Sequence, residues 1–319
     1  MSMHKRTMVS AVVVGVVLAT ALAAFAGPHF SAWSTAQKVD EIAGNNLDLN
    51  TTSADGCPIE SPDGLDLYMA SNRPGSSESS PGVGSLDIWV AHRESKNAPF
   101  GAPVNLGPAI NSAADDFCPT PVKHGLFFVS RRVIAGVTCG MGDIYFARFD
   151  HNGWSAPEHL GCAPDGPNSA LDEQGPSYVK AAGQRLLYFS SSSASVPGDI
   201  YVSARGKDGG FGAASLVAEL NSTGNDIQPN VRKDGREVVF SSNRPGSLGQ
   251  DIWLSVRKHI DDPWSPPTNL GGTINTGAAE TRPSLSRDAQ RLYFGRAPGP
   301  EGMSDIYVAT REKLKGADE

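Results

Sequence analysis

Beyond its first 26 residues, this 319-residue chain shows no sustained helical period, which excludes a helix bundle and any fold that alternates helices with parallel strands. Catalytic signatures are equally sparse. There is no Gly-x-Ser-x-Gly, no His-Glu-x-x-His, no phosphate loop and no EF-hand loop, so no reaction is announced by a local motif. The histidines after residue 26 (29, 92, 124, 151, 159 and 259) follow no common spacing. Basic charge is in deficit, with 27 Lys and Arg against 34 Asp and Glu, which argues against nucleic acid or an anionic membrane as partner. Only four cysteines occur, none closely spaced, so a cysteine-rich metal site is not expected.

The one long apolar run lies at the start. Lys5 and Arg6 precede apolar residues 9–26, and Ala24-Phe25-Ala26 fits a small-x-small cleavage site before Gly27. Residues 1–26 therefore read as a signal peptide, with no stable membrane insertion after cleavage and a periplasmic or extracellular destination. Removing them leaves 25 basic against 34 acidic residues, a net charge of −9.

What the chain does have is a repeat. Asp-Ile-(Trp/Tyr) recurs at Asp87, Asp143, Asp199, Asp251 and Asp305, at intervals of 56, 56, 52 and 54 residues. A period of that size means one supersecondary unit copied five times. Each copy carries an Asn (50, 111, 168, 221, 275), an acid five residues later (Asp55, Asp116, Glu173, Asp226, Glu280) and a proline three residues after that. An apolar run follows, then the Asp-Ile phrase, an Arg (93, 148, 205, 257, 311) and a Trp-Ser or Phe-Gly start. Four strand-like segments per unit, each four to seven residues long and split by Gly, Pro, Ser and Asn turns, describe a propeller blade. The fifth copy lacks its last segment, and Trp33-Ser34 near the start matches Trp154-Ser155. The expected fold is all-β: a five-bladed β-propeller over residues 27–319, closed by an N-terminal strand at 30–40 that completes the last blade and covers its sheet edge.

Ser71-Asn72-Arg73-Pro74-Gly75 before Asp87-Ile88-Trp89, and Asn243-Arg244-Pro245-Gly246 before Asp251-Ile252-Trp253, resemble the WD-like β-propeller repeat of TolB-type proteins. Pro-x-x-Ser-x-Asp-Gly at 58–64 strengthens the likeness, which spans roughly 55–311. Blades two and three depart from it at Ser130-Arg131-Arg132 and at 190–193, and the chain has no room for the α/β domain of TolB itself. The resemblance implies an extracytoplasmic binding scaffold.

Candidate residues follow from position. The Asp-Ile aspartates recur in every blade and are expected to build it, bonding turn amides or an arginine. Asp55, Asp116, Glu173, Asp226 and Glu280 lie on the blade-to-blade connections, where they can ring the channel mouth, with Arg73, Arg132 and Arg244 at its edge. Such a ring would suit a hard cation such as calcium, although no cofactor is otherwise expected. Cys57 and Cys118 share a repeat position in adjacent blades, while Cys139 and Cys162 sit on loops of one face, so 57–118 and 139–162 is the favoured disulfide pairing. Loops 76–85 and 133–142 are long and irregular, and they mark the acid-ring face as the binding face.

Three function classes remain open. The favoured one is a monomeric, exported, non-catalytic scaffold that binds a protein, peptide or envelope glycan. The second is a hydrolase or lyase acting on carbohydrate with carboxylates in the central funnel. A lectin is third, disfavoured because the loops differ between blades.

Overall fold

The computed structural model describes residues 30–76, 78–80 and 83–314, so the expected signal peptide lies outside the described residues. The chain forms a five-bladed β-propeller of four antiparallel strands per blade. Blade one runs outward through Asp55–Glu60, Asp66–Ser71, Asp87–His92 and Val104–Asn105. Blade two comprises Asp116–Val122, Gly125–Ser130, Asp143–Asp150 and an outer edge split into Gly153–Trp154 and Glu158–His159. Blades three and four begin at Asp172–Ala181 and Asp226–Val231 and end at Ser215–Leu216 and Thr268–Asn269. Blade five consists of Ala279–Leu285, Arg291–Ala297 and Asp305–Thr310, with Gln37–Lys38 as its outer strand.

The ring closes between the chain's ends. Gln37 pairs with Val308 and Lys38 with Tyr307, both antiparallel. Just before them, the Ser34 amide donates to the Thr310 carbonyl at 2.8 Å, and Arg311 stacks on Trp33 at 4.3 Å. The outer strands are shorter than the sequence pattern suggested, each ladder segment holding two residues. In blade four Pro266 and Pro267 directly precede the strand and cannot donate to a ladder, which confines the pairing to Thr268–Asn269.

The core lies in the seams between blades. Ile88 and Ile110 of blade one pack against Leu126, Phe128 and Tyr145 of blade two. Leu67, Met69 and Trp89 of blade one pack against Tyr293, Ile306 and Val308 of blade five and Val39 of the closing segment. A blade cannot bury these faces alone, so stability depends on the closed ring.

Every connection between blades is fixed the same way. The Asn side chain of each copy grips the main chain of the Asp-Ile phrase before it: Asn111 Oδ1 accepts from the Ile88 amide at 2.9 Å, and its Nδ2 donates to the Ile88 carbonyl at 3.0 Å. The same two bonds join Asn168 to Ile144, Asn221 to Ile200, Asn275 to Ile252 and Asn50 to Ile306. Deleting residues 30–40 removes both the closing strand and Val39, and should lower the melting temperature and expose an aggregating sheet edge. Trp33→Ala alone should cost about 1–3 kcal/mol through lost burial and stacking. An unchanged melt of the deletion variant would refute closure by this segment.

Candidate functional site

The inner strands start with the repeated acids, and all five carboxyl-bearing residues are completely buried. Each accepts from the Ser or Thr one residue after the repeat Asn. The Thr51 amide and hydroxyl donate to Asp55 at 2.6 and 2.8 Å, and Ser112, Ser169, Ser222 and Thr276 play the same part for Asp116, Glu173, Asp226 and Glu280. An arginine from the end of the second strand completes four of the five: Arg73 with Asp55, Arg132 with Asp116, Arg244 with Asp226 and Arg296 with Glu280, at 2.5–2.7 Å. Each of these arginines also donates to a carbonyl of the incoming connection, those of Asp48, Ile110, Leu220 and Ile274.

This corrects the expected use of Arg73, Arg132 and Arg244, which hold the connection acids rather than the Asp-Ile aspartates. It also removes the basis for a cation-binding or catalytic ring. Four of the carboxylates are already neutralised in contact with a guanidinium, and none is exposed. Arg296 was missed in the sequence because it lies outside the Ser-Asn-Arg-Pro-Gly phrase, although an Arg 16 or 18 residues after the acid recurs in four blades.

Blade three breaks the rule. Ser193 stands where an arginine would be, and Glu173 bonds only Ser169 and Ser191. Desolvation raises its pKa above the ordinary 4.5 despite those hydroxyls.

The Asp-Ile aspartates build their own blades. Asp143 accepts from the Cys139 and Gly140 amides, Asp251 from Leu248 and Gly249. The outer strand adds Asn105 to Asp87 and Asn269 to Asp251, both at 2.8 Å, while blade two places His159 at the same point, 3.0 Å from Asp143. Asp305 accepts from the Glu301 amide. Blade three has Leu216, opposite Tyr201, at the register position of those amide side chains, and burial raises the pKa of Asp199.

Two disulfides join Cys57 to Cys118 and Cys139 to Cys162. Cys57 and Cys118 belong to a ring of five residues at the axis, completed by Gly175, Gln228 and Arg282. All five are in the left-handed region, with φ between 48° and 58°, and each sits at a break in ladder register. They line a channel of about 30 Å³ together with the five prolines that follow them.

The large cavity is on the other face. A bowl of about 1210 Å³ is lined by the far ends of all five inner strands and their turns, the ends opposite the acids. The acid-ring face, with loops 76–85 and 133–142, had been expected to hold the site; the bowl lies away from it. Its wall carries Tyr68, Phe149, Trp154 and Tyr178, with Lys123, Lys180, Lys233 and Arg287 among the polar groups.

Trp154 is free to face the bowl because blade two abandons another repeat contact. In the other blades the Arg after the Asp-Ile strand stacks on the aromatic that opens the outer strand: Arg93 on Phe100, Arg205 on Phe211, Arg257 on Trp264 and Arg311 on Trp33. Arg148 is instead exposed and reaches Glu158 at 3.8 Å, while Trp154 packs on Phe149 with ring centroids 4.7 Å apart.

The bowl's carboxylates differ in availability. Glu60 is spent on Arg93, Arg291 and the Tyr293 hydroxyl, and Asp234 on Arg232. Asp63 and Asp66 have no arginine partner among the described residues. The Ser61 hydroxyl, against burial and with the Leu65 amide, holds Asp63 below the usual carboxylate range. An Asp66 carboxylate oxygen lies 2.7 Å from His92 Nδ1, which donates to it in the tautomer protonated at that nitrogen. Burial, then the charges of Asp66 and Asp63, push Tyr68 up to about 12, so its hydroxyl stays protonated.

No protein-family model matches the chain, and no curated protein matches it in sequence. Solved structures do match. One is a thermostable family-43 glycoside hydrolase (14% identity, 83% of this chain and 91% of that one, TM-score 0.53). Another is an endo-arabinase from Bacteroides thetaiotaomicron (16%, 90% and 99%, TM-score 0.52). A third is a family 117 glycoside hydrolase from Zobellia galactanivorans (12%, 91% and 92%, TM-score 0.52). At such identities the likeness carries the fold. It overturns the TolB-type resemblance, and with it the non-catalytic protein-binding scaffold that the resemblance implied.

The physical reason lies in what the shared phrase does. Asn72 and Asn243 accept from the Ala54 and Asn225 amides, Arg73 and Arg244 hold Asp55 and Asp226, and Gly75 and Gly246, at φ 96° and 101°, turn the chain against Trp89 and Trp253. The phrase encodes blade assembly, so it marks the architecture and not a family.

The acids should separate in their energetics. Asp226→Ala leaves Arg244 buried and unpaired, and should destabilise by about 3–5 kcal/mol. Glu173→Gln should do the opposite as pH rises. Glu173 titrates higher folded than unfolded, so its contribution is fully present below its unfolded pKa and is lost above it. The Gln variant should therefore gain on wild type as pH rises from the ordinary 4.5 through the higher folded pKa in denaturant melts. A Glu173→Gln loss matching that of Asp226→Ala would show the two acids to be equivalent.

Proposed function

We propose that this chain is an exported carbohydrate-active hydrolase that takes a glycan in the bowl. The observation that supports this reading best is the bowl itself. At about 1210 Å³ it exceeds the roughly 300–1,000 Å³ of sites for one small ligand, and it sets aromatic faces beside carboxylates that no arginine holds among the described residues. Sugars present C–H faces that stack on aromatic rings and hydroxyls that bond to carboxylates and amines. Trp154, Phe149 and Tyr178 supply the first, and Asp63, Asp66 and Lys180 the second.

Hydrolysis of a glycosidic bond needs one carboxylate as base or nucleophile and a second group to protonate the leaving oxygen. Asp63, held ionised, suits the first role. The Asp66–His92 pair is the nearby group able to carry a proton, as carboxylate–imidazole pairs do in acid–base catalysis. Elimination finds less support, because Tyr68 is held neutral and is a donor rather than a base. The buried connection acids take no part. Two disulfides and the similarity to glycoside hydrolase propellers fit an oxidising compartment, the periplasm or the extracellular space.

A polysaccharide panel, read by chromatography of released oligosaccharides, tests the reading. On the responding substrate, Asp63→Asn should reduce kcat at least 100-fold with KM little changed. Trp154→Ala should instead raise KM about tenfold, the worth of one ~1.4 kcal/mol contact. Cleavage that survives Asp63→Asn, or binding that Trp154→Ala leaves intact, would remove the bowl as the site.

A further inference from the structure

The axis channel holds a charge without a partner. Arg282 is the blade-five member of the left-handed ring, at φ 56°, and lines the channel beside the Cys57–Cys118 disulfide, Gln228 and Asn230. Its main-chain amide donates to Gln228 Oε1 at 3.1 Å. Its guanidinium has no ion pair and no hydrogen bond among the described residues, and Nε is buried without a partner. A Cβ added to Gly56 would lie 2.9 Å from Nη1, so the side chain fills the space beside blade one's inner strand. The residue keeps some accessible surface only because it borders the channel. Desolvation, and then repulsion from Arg131, lower its pKa. Arg131 gives no relief, being committed to Asp115 and Asp172 at 3.0 and 2.9 Å.

A guanidinium whose Nε is buried without a partner, and which no carboxylate of the described residues meets, is a costly arrangement, and natural interiors pair such groups. Even the most deeply buried arginines here have a carboxylate or carbonyl: Arg73, Arg93, Arg232, Arg244, Arg257 and Arg311 are all so held. Arg282 is also the exception within its own ring, whose other members are small or neutral. The channel opens onto the bowl, since Ile59, Thr120 and Asn230 line both.

We propose that the channel is an anion site in which Arg282 binds a monovalent anion of the size of chloride or formate, either free or as the carboxylate of an acidic sugar entering from the bowl. A volume of about 30 Å³ is room for roughly two waters, so a small anion fits beside the guanidinium without displacing a side chain. A guanidinium offers the planar fork that a carboxylate fits. The free-anion form stands whether or not the chain cleaves glycans, so the two readings fail separately.

The test is a thermal melt at constant ionic strength, in a buffer whose other anions are bulky sulfonates. Chloride or formate at ten times its dissociation constant should raise the wild-type melting temperature by about 2–4 °C. Arg282→Gly should melt cooperatively and lose the response. Glycine suits a left-handed position, and Gly175 already occupies the equivalent one in blade three at φ 58°. Arg282→Gln serves as a second variant and should also be unresponsive. If chloride and formate leave the wild type unchanged but a galacturonate oligosaccharide raises its melting temperature, and its carboxyl-reduced counterpart does not, the sugar carboxylate is the source. No wild-type response to any of these anions, or an equal response in Arg282→Gly, overturns the proposal.

Discussion

The ring depends on how one blade is fastened to the next. Each connection is held by an Asn that bonds both main-chain groups of an isoleucine in the preceding blade, and by an acid that bonds the turn after that Asn. The carboxylate is buried, so its charge has to be met. In four blades an arginine from the neighbouring strand meets it and then reaches back to the connection's own carbonyl. Removing either partner strands a charge in the interior, a much larger penalty than a surface ion pair carries. Packing in the seams can form only when these connections put adjacent sheets in register.

That constraint also decides where chemistry can occur. A residue committed to fastening blades is buried and already bonded, so a five-fold ring of such acids is an unsuitable active site. Chemistry is available where the repeat fails. Blade two gives up its Arg–aromatic stack, and Trp154 turns toward the bowl. Blade three gives up its arginine, and Glu173 is left with hydroxyl partners alone. Blade five puts a guanidinium where other blades have a cysteine, a glycine or an amide. Departures from an otherwise consistent repeat are where functional demands are expected to surface.

The architecture was legible because its determinants are local and periodic. Asp-Ile-(Trp/Tyr), the Asn and the acid each hold a fixed place in a unit of fifty-odd residues, and Trp33-Ser34 supplies the segment that the fifth unit lacks. The partners were less legible. Arg73 meets Asp55 across 18 residues and two strands, and nothing in the sequence separates that pairing from one with Asp87. The bowl was invisible, because its wall is assembled from turns of all five blades, and the Pro-x-x-Ser-x-Asp-Gly phrase that supplies Asp63 reads only as a turn. Tyr68, Trp154, Tyr178 and Asp63 come from three different blades and four different repeat positions. Long loops drew attention to the opposite face, yet loop length reports sequence irregularity and not concavity.

The bowl and the channel are better viewed as one compartment with two depths. Ile59, Thr120 and Asn230 border both, so a molecule lying against Trp154 and Tyr178 has the channel mouth beside it on the axis. The wall above is aromatic and mixed in charge, whereas the recess below holds an unpaired cation. Propeller geometry makes this gradient available without loop insertions. Five inner strands converge on the axis, and a bulge in each, at the left-handed position before its proline, decides what projects there. Two of those positions are tied off by the Cys57–Cys118 bridge, one is a glycine and one an amide. Of the five ring residues only Arg282 brings charge to the axis, and no carboxylate among the described residues pairs with it.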